Sequence, residues 1–268
     1  MTSFLKIPPV HSGDWAIVAW LKTLKPSFLR GIVLQTFTNF RSWVNHILEK
    51  NTADGTIVLV PWFICHPSTL KILAEALKSV LGNKYNIIFA KPKTKYLANH
   101  IDRVGDLWDT LHDDLRNIQE SHETNGNMIL LSHSLGWPAI VSAIAQKGKI
   151  SDNTRVEMLS PPFGFVPIAG IPFARIFPAL EDLRKKKMFS DGDIQRFLHE
   201  VSSVEIHQTW SDSLVPSESQ DLKGLHPGVD TDKVKTYIHK SWNHLTAVNG
   251  SGVRDFARWM ETRVIGHN

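Results

Sequence analysis

Short apolar runs alternate with longer stretches in which apolar residues recur every three or four positions, and this alternation organises the chain from residue 54 onward. Residues 56–60 (TIVLV) read as a strand, opened by the Asp54-Gly55 turn and closed by Pro61. Leu70, Leu73, Leu77 and Leu81 then fall on one helix face, from Ser68 as N-cap to the stop at Gly82 and Asn83. A second strand covers 86–90 (NIIFA). After it, Ile101, Val104, Trp108, Leu111, Leu115 and Ile118 form an apolar stripe opposite Asp102, Asp106, Asp109 and Asp113, the pattern of a helix with one buried face. Residues 128–132 (MILLS) show no polar alternation, as expected of a central strand covered on both sides, and run directly into a helical pattern beyond Leu135. Further strands are expected at 156–160, 204–207 and 235–239, and a closing helix at 252–263. The order predicts an α/β fold: a doubly wound, mostly parallel sheet flanked by helices, in a single domain over 1–268. Residues 15–24 and 40–48 have helical patterns, so 1–50 reads as an N-terminal helical extension.

Candidate chemistry concentrates where the central strand meets its helix, at Ser132-His133-Ser134-Leu135-Gly136. A side chain at the tip of a tight strand-to-helix turn needs small neighbours two positions away on each side, and Ser132 and Gly136 meet that need. The following helix aims unsatisfied N–H groups and its positive dipole end at any oxyanion formed nearby. A serine hydroxyl is a poor nucleophile at neutral pH, so Ser134 requires a base and a group to orient it. In this architecture both follow the serine, the acid at a strand end and the histidine nearer the C-terminus. Asp212 lies in the loop after the strand at 204–207, and His244 in the loop after the strand at 235–239. Asp191 and Glu205 are rival acids: Asp191 stands in a hydrophilic Ser-Asp-Gly-Asp stretch that reads as a solvated loop, and Glu205 lies within a strand. His239 is the rival base, again inside a strand, and His133 is expected to pack beneath the turn.

These segments resemble the α/β-hydrolase superfamily, most closely its bacterial esterase and lipase-type members. Their serine turn is usually GHSxGG, their acid loop SxxDxxVxP and their base segment GHL-like; this chain has SHSLGW, WSDSLVP and NHLTAV. The resemblance covers about residues 56 to 260. It implies Ser134 as nucleophile, Asp212 as acid and His244 as general base, in a hydrolase of carboxylic esters with apolar acyl groups that needs no cofactor. The oxyanion would be held by the backbone N–H groups of Leu135 and Phe63. Trp62 stands where those relatives carry glycine, and Trp137 where many have a second glycine, crowding the site. This crowding motivates the alternative of a non-catalytic hydrolase-fold protein that binds a hydrophobic ligand or partner.

The segment 161–180 is apolar but carries Pro161, Pro162, Pro167, Pro172 and Pro178, too many for a membrane-spanning helix. Its position resembles the place where lipases carry a cap or lid over the acyl pocket. Residues 161–200 are therefore expected to form a small cap or lid insertion, with Phe163, Phe165 and Phe173 facing the acyl group beside Trp62 and Trp137. The RKKK run at 184–187 offers at most weak contact with a lipid surface.

Charge and composition narrow the partners. With 30 Lys and Arg against 26 Asp and Glu, the net charge of +4 is too small to argue for nucleic acid. The single cysteine, Cys65, forms no internal disulfide and reads as a small buried hydrophobe. No HExxH or comparable spacing appears among the 13 histidines, so no metal is expected. Prolines 8 and 9 and Asp14 interrupt what a signal peptide keeps apolar, so a cytoplasmic location is the expectation.

Overall fold

The computed structural model describes residues 54–60, 70–90, 111–121, 127–167, 186–210, 212 and 214–265. Six parallel strands form one sheet: β1 (Gly55–Val60), β2 (Tyr85–Phe89), β3 (Asn127–His133), β4 (Asn153–Leu159), β5 (Ser203–Thr209) and β6 (Val234–His239), in the spatial order β2-β1-β3-β4-β5-β6. Among the described residues the helices are α1 (Lys71–Leu81), α2 (Leu111–Ser121), α3 (Trp137–Lys147), α4 (Asp191–Glu200), α5 (Leu222–Leu225), α6 (Thr246–Asn249) and α7 (Ser251–Ile265).

Strand side chains alternate between faces, and so the core divides in two. Val58, Leu130, Val156 and Ile206 turn toward Leu115, Ile140, Ile194 and Phe197 of α2, α3 and α4. Ile57, Leu59, Ile129 and Leu131 turn toward Leu73 and Leu77 of α1 and Val253, Phe256 and Met260 of α7. Burial on both faces explains why the central strands read as unbroken apolar runs. α1 stops at Gly82, whose φ of +59° is a conformation glycine adopts without steric cost.

The winding reverses once. β2 lies on one side of β1, and every later strand builds outward on the other, so β1 and β3 flank a topological switch point. In open α/β sheets the crevice beyond the strands' carboxyl ends at such a point is where ligands bind. β3 ends at His133, which places Ser134 there.

Each expected strand is present, with bounds shifted by up to three residues. One expectation is corrected: the Ser-Asp-Gly-Asp stretch at 190–193 is a helix start, not a solvated loop. Ser190 Oγ accepts from the Asp193 N–H at 3.1 Å, and the Asp193 carboxylate accepts the Ser190 N–H at 3.2 Å, a reciprocal cap that launches α4. Ile194, Phe197 and Leu198 of this helix pack into the core. The helical patterns within 1–50, the N-cap at Ser68 and the first part of the stripe at 101–110 lie outside the described residues.

Candidate active site

The serine turn begins without a loop. β3 runs to His133, Ser134 takes φ +51°, a single 3-10 turn covers Ser134–Gly136, and α3 follows with Pro138 in its first turn. A non-glycine residue at positive φ is strained, and such strain concentrates at functional positions. The backbone N–H of Leu135 lies in the first turn of this helical segment, where N–H groups have no intrahelical acceptor.

The acid loop leaves the end of β5. The side chain of Asp212 is fully buried yet has a partner at each lone-pair direction: Oδ1 accepts the N–H groups of Leu214 and Val215 at 2.8 and 3.0 Å, and Oδ2 accepts from Thr209 Oγ1 and His244 Nδ1, both at 2.8 Å. Burial by itself raises the pKa of Asp212. The neighbouring His244 and these hydrogen bonds outweigh it and hold the carboxyl below its ordinary value, so Asp212 is ionised and accepts only.

The histidine loop joins β6 to α6. Asn243 shapes it: its N–H donates to Thr246 Oγ1 at 2.8 Å, and its Oδ1 accepts the N–H groups of Leu245 and Thr246 at 3.1 and 3.0 Å. Facing an acceptor-only carboxylate, His244 Nδ1 must carry the proton. In the neutral ring Nε2 is then the unprotonated nitrogen, the one able to act as a base.

His133 ties the loop to the serine turn. Its Nε2 stands 2.8 Å from the carbonyl oxygen of His244, which accepts only, so that nitrogen is the protonated one; the two rings lie 4.8 Å apart. Burial, and then the charge of His244, press the pKa of His133 down to about 3, and the ring stays neutral. The residue before Ser134 is thus bonded to the backbone of His244, which brings the ends of β3 and β6 to one rim. Ser134 and His244 keep only 3% and 1% of their accessible surface.

The structure engages the rival residues elsewhere. Asp191 bonds to Lys187 and His226, Glu205 to Arg263, and His239 to His207. Trp137 is fully buried; its indole N–H donates to the Pro162 carbonyl at 3.0 Å and its ring packs on Phe163 and Phe189. Phe163 is also core, with its N–H on the Ser219 carbonyl at 2.6 Å, so both rings pack in the core. Phe165 is exposed. Trp62, Phe63, Cys65 and Phe173 lie outside the described residues. Sequence reasoning missed Thr209, whose only local sign is a hydroxyl residue three positions before the acid, and Gln220, which reaches the same loop from a later turn.

Among the described residues, no group of three or more His, Cys, Asp or Glu side chains is placed to hold a metal ion, and no helix is long and apolar enough to cross a membrane.

No protein-family model matches this chain, and no curated protein matches it. Solved structures do. A Bacillus licheniformis lipase in its mature form is similar with a TM-score of 0.59 at 14% identity, covering 81% of this chain and 96% of that one. A Paleococcus ferrophilus monoacylglycerol lipase gives 0.54 at 15%, with 81% and 97% covered. An extracellular α/β-hydrolase from a Paenibacillus species gives 0.51 at 14%, with 76% and 97% covered. At these identities the likeness concerns the fold, and it shows that the chain has the α/β-hydrolase fold.

Proposed function

We propose that this protein is a serine hydrolase of carboxylic esters with apolar acyl groups. The observation that carries the proposal is the Asp212–His244 hydrogen bond, tethered through His133 to the strained turn at Ser134, at the switch point of an α/β-hydrolase fold.

Ser134 Oγ attacks the ester carbonyl carbon and passes its proton to His244 Nε2 as the new C–O bond forms. Asp212 fixes the tautomer and stabilises the imidazolium. The carbonyl oxygen, now an oxyanion, is held by the Leu135 N–H, with Phe63 supplying the second donor; one such donor contributes on the order of a hundredfold in rate. His244 then gives its proton to the departing alkoxide as the ester C–O bond breaks, leaving an acyl-serine. Water then attacks the acyl carbon as it passes a proton to His244, and His244 returns that proton to Ser134 Oγ as the acyl C–O bond breaks, releasing the carboxylic acid. A cap that meets the acyl group would come from the part of 161–200 that precedes α4, since α4 packs on the sheet. No cofactor enters.

The burial of Ser134 and His244 supports one competing reading, a hydrolase-fold protein that binds a hydrophobic ligand without turnover. A fluorophosphonate probe separates the two. The enzyme reading expects labelling of the folded protein that disappears in Ser134→Ala, together with turnover of p-nitrophenyl esters that rises with acyl length. Folded protein that takes no label supports the binding reading instead.

A further inference from the structure

Asp212 is held by more than its own loop. Thr209, the last residue of β5, is fully buried, and its Oγ1 lies 2.8 Å from the same Oδ2 that receives the His244 proton. A threonine hydroxyl owns one proton and an ionised carboxylate accepts only, so Thr209 donates to Asp212. The direction of the next bond follows. Ser160 Oγ, 3.1 Å from Thr209 Oγ1, has to be the donor, because the threonine proton is already committed. Ser160 stands at the end of β4, fully buried, at φ +49°, with its N–H on the His207 carbonyl at 2.9 Å. Donation therefore runs Ser160 to Thr209 to Asp212, across the ends of β4 and β5.

The backbone of Thr209 is fixed equally well. Its N–H donates to Gln220 Oε1 at 3.0 Å, and its carbonyl accepts from Gln220 Nε2 at 3.3 Å. The same Nε2 donates to the Val215 carbonyl at 2.8 Å. One donor and two acceptors on the protein side leave only one orientation of the amide. The buried Gln220 side chain thus acts as a short piece of strand, clamping the last residue of β5 to the loop that carries Asp212.

We infer that Thr209 is a positioning residue for the proposed reaction, holding Asp212 Oδ2 in line with His244 Nδ1 and taking up part of its negative charge. The inference rests on the reading of Asp212 and His244 as acid and base. Oδ1 is held by two backbone N–H groups whatever residue occupies 209, whereas among the described residues Oδ2 has only Thr209 and His244. Without the hydroxyl the carboxylate can twist about its Cβ–Cγ bond, and the charge left on Oδ2 favours the imidazolium. Asp212 and His133 both face His244, and His133 is neutral.

The test compares Thr209→Val, which keeps the shape and removes the hydroxyl, with Thr209→Ser, which keeps the hydroxyl. In Thr209→Val kcat is expected to fall about tenfold at little change in KM, the scale of one hydrogen bond to a charged group. The acid limb of kcat/KM is expected to move to higher pH, and Thr209→Ser to restore both. The His244 Nδ1 proton, followed by NMR, is expected to shift in Thr209→Val and return in Thr209→Ser, a readout that needs no turnover. Thr209→Ala serves in the same comparison if the valine variant does not fold. An unmoved acid limb and an unmoved Nδ1 resonance in a folded variant overturn the inference and leave Thr209 a packing residue. A wild type that takes no fluorophosphonate label overturns the hydrolase reading instead, and the NMR comparison still decides whether Thr209 sets the Asp212–His244 bond.

Discussion

Asp212 and His244, 32 positions apart in sequence, meet through Oδ2 and Nδ1 at 2.8 Å. This bond decides which ring nitrogen carries the proton, and that makes Asp212→Asn a sharp test. Asn has one acceptor oxygen, which the N–H groups of Leu214 and Val215 hold at the Oδ1 position. Its NH₂ then faces His244 Nδ1 and favours the tautomer with Nδ1 bare and Nε2 protonated. A base protonated on the side of the serine cannot take the serine proton, so kcat for ester hydrolysis is expected to fall about 10⁴-fold, with the circular dichroism spectrum unchanged. A loss of less than tenfold in a folded variant would remove Asp212 from the proposed mechanism.

The sheet was legible in sequence because its central strands are buried on both faces, and unbroken apolar runs as short as TIVLV and MILLS suit a doubly covered strand better than a helix. Ser134 stood out because strand, turn and helix follow one another with no spare residue. The start of α4 did not: Ser-Asp-Gly-Asp has turn composition, and only the spacing of Ser190 and Asp193 ahead of Ile194 marks the cap. Thr209, Gln220 and Ser160 were illegible for another reason. Their partners lie 3, 11 and 49 positions away, and neither hydrophobic periodicity nor motif spacing records which polar groups a fold brings together. The same holds for Glu157, Glu205 and His207, which sit in strands where an apolar residue would ordinarily face the core.

The positive φ of Ser134 carries an energetic consequence that its chemistry does not. At +51° a Cβ is crowded by the backbone, and a non-glycine residue held there costs roughly 1–3 kcal/mol. Ser134→Ala keeps the Cβ and the strain; Ser134→Gly removes both, against some loss of entropy. The glycine variant is expected to be more stable than the alanine variant by about 1 kcal/mol in urea denaturation, while neither hydrolyses ester. Equal stability of the two would mean that the turn stores no strain.

The face of the sheet beneath α7 gives the protein a pH dependence of its own. Glu157 and His207 are completely buried; His207 Nε2 lies 3.3 Å from Glu157 Oε2, and its Nδ1 lies 2.9 Å from His239 Nε2. Burial holds His207 at about 3, as it does His133, and burial with the adjacent His207 holds His239 at about 4. All three fall below the unfolded histidine value near 6.5, so the unfolded chain binds more protons as pH drops beneath that value. Stability present above about pH 6.5 is therefore lost toward pH 3, by about 1.4 kcal/mol per pH unit for each fully buried ring. Glu157 acts in the opposite sense. Burial and the nearby Glu205 raise its pKa well above the ordinary value, against the pull of Arg155 and Arg263. A raised acid contributes below its unfolded pKa, and that contribution is lost as pH rises through the folded value. Melting temperature should thus peak between two declining limbs. In Glu157→Gln the amide oxygen still accepts from Arg155, whose Nη2 lies 3.2 Å from Glu157 Oε1 in the wild type, while nothing is left to ionise. The alkaline limb is expected to flatten and the acid limb to stay. Melting curves collected from about pH 4 to about pH 9 span both limbs, and an alkaline limb that superimposes on the wild type would show that Glu157 does not set it.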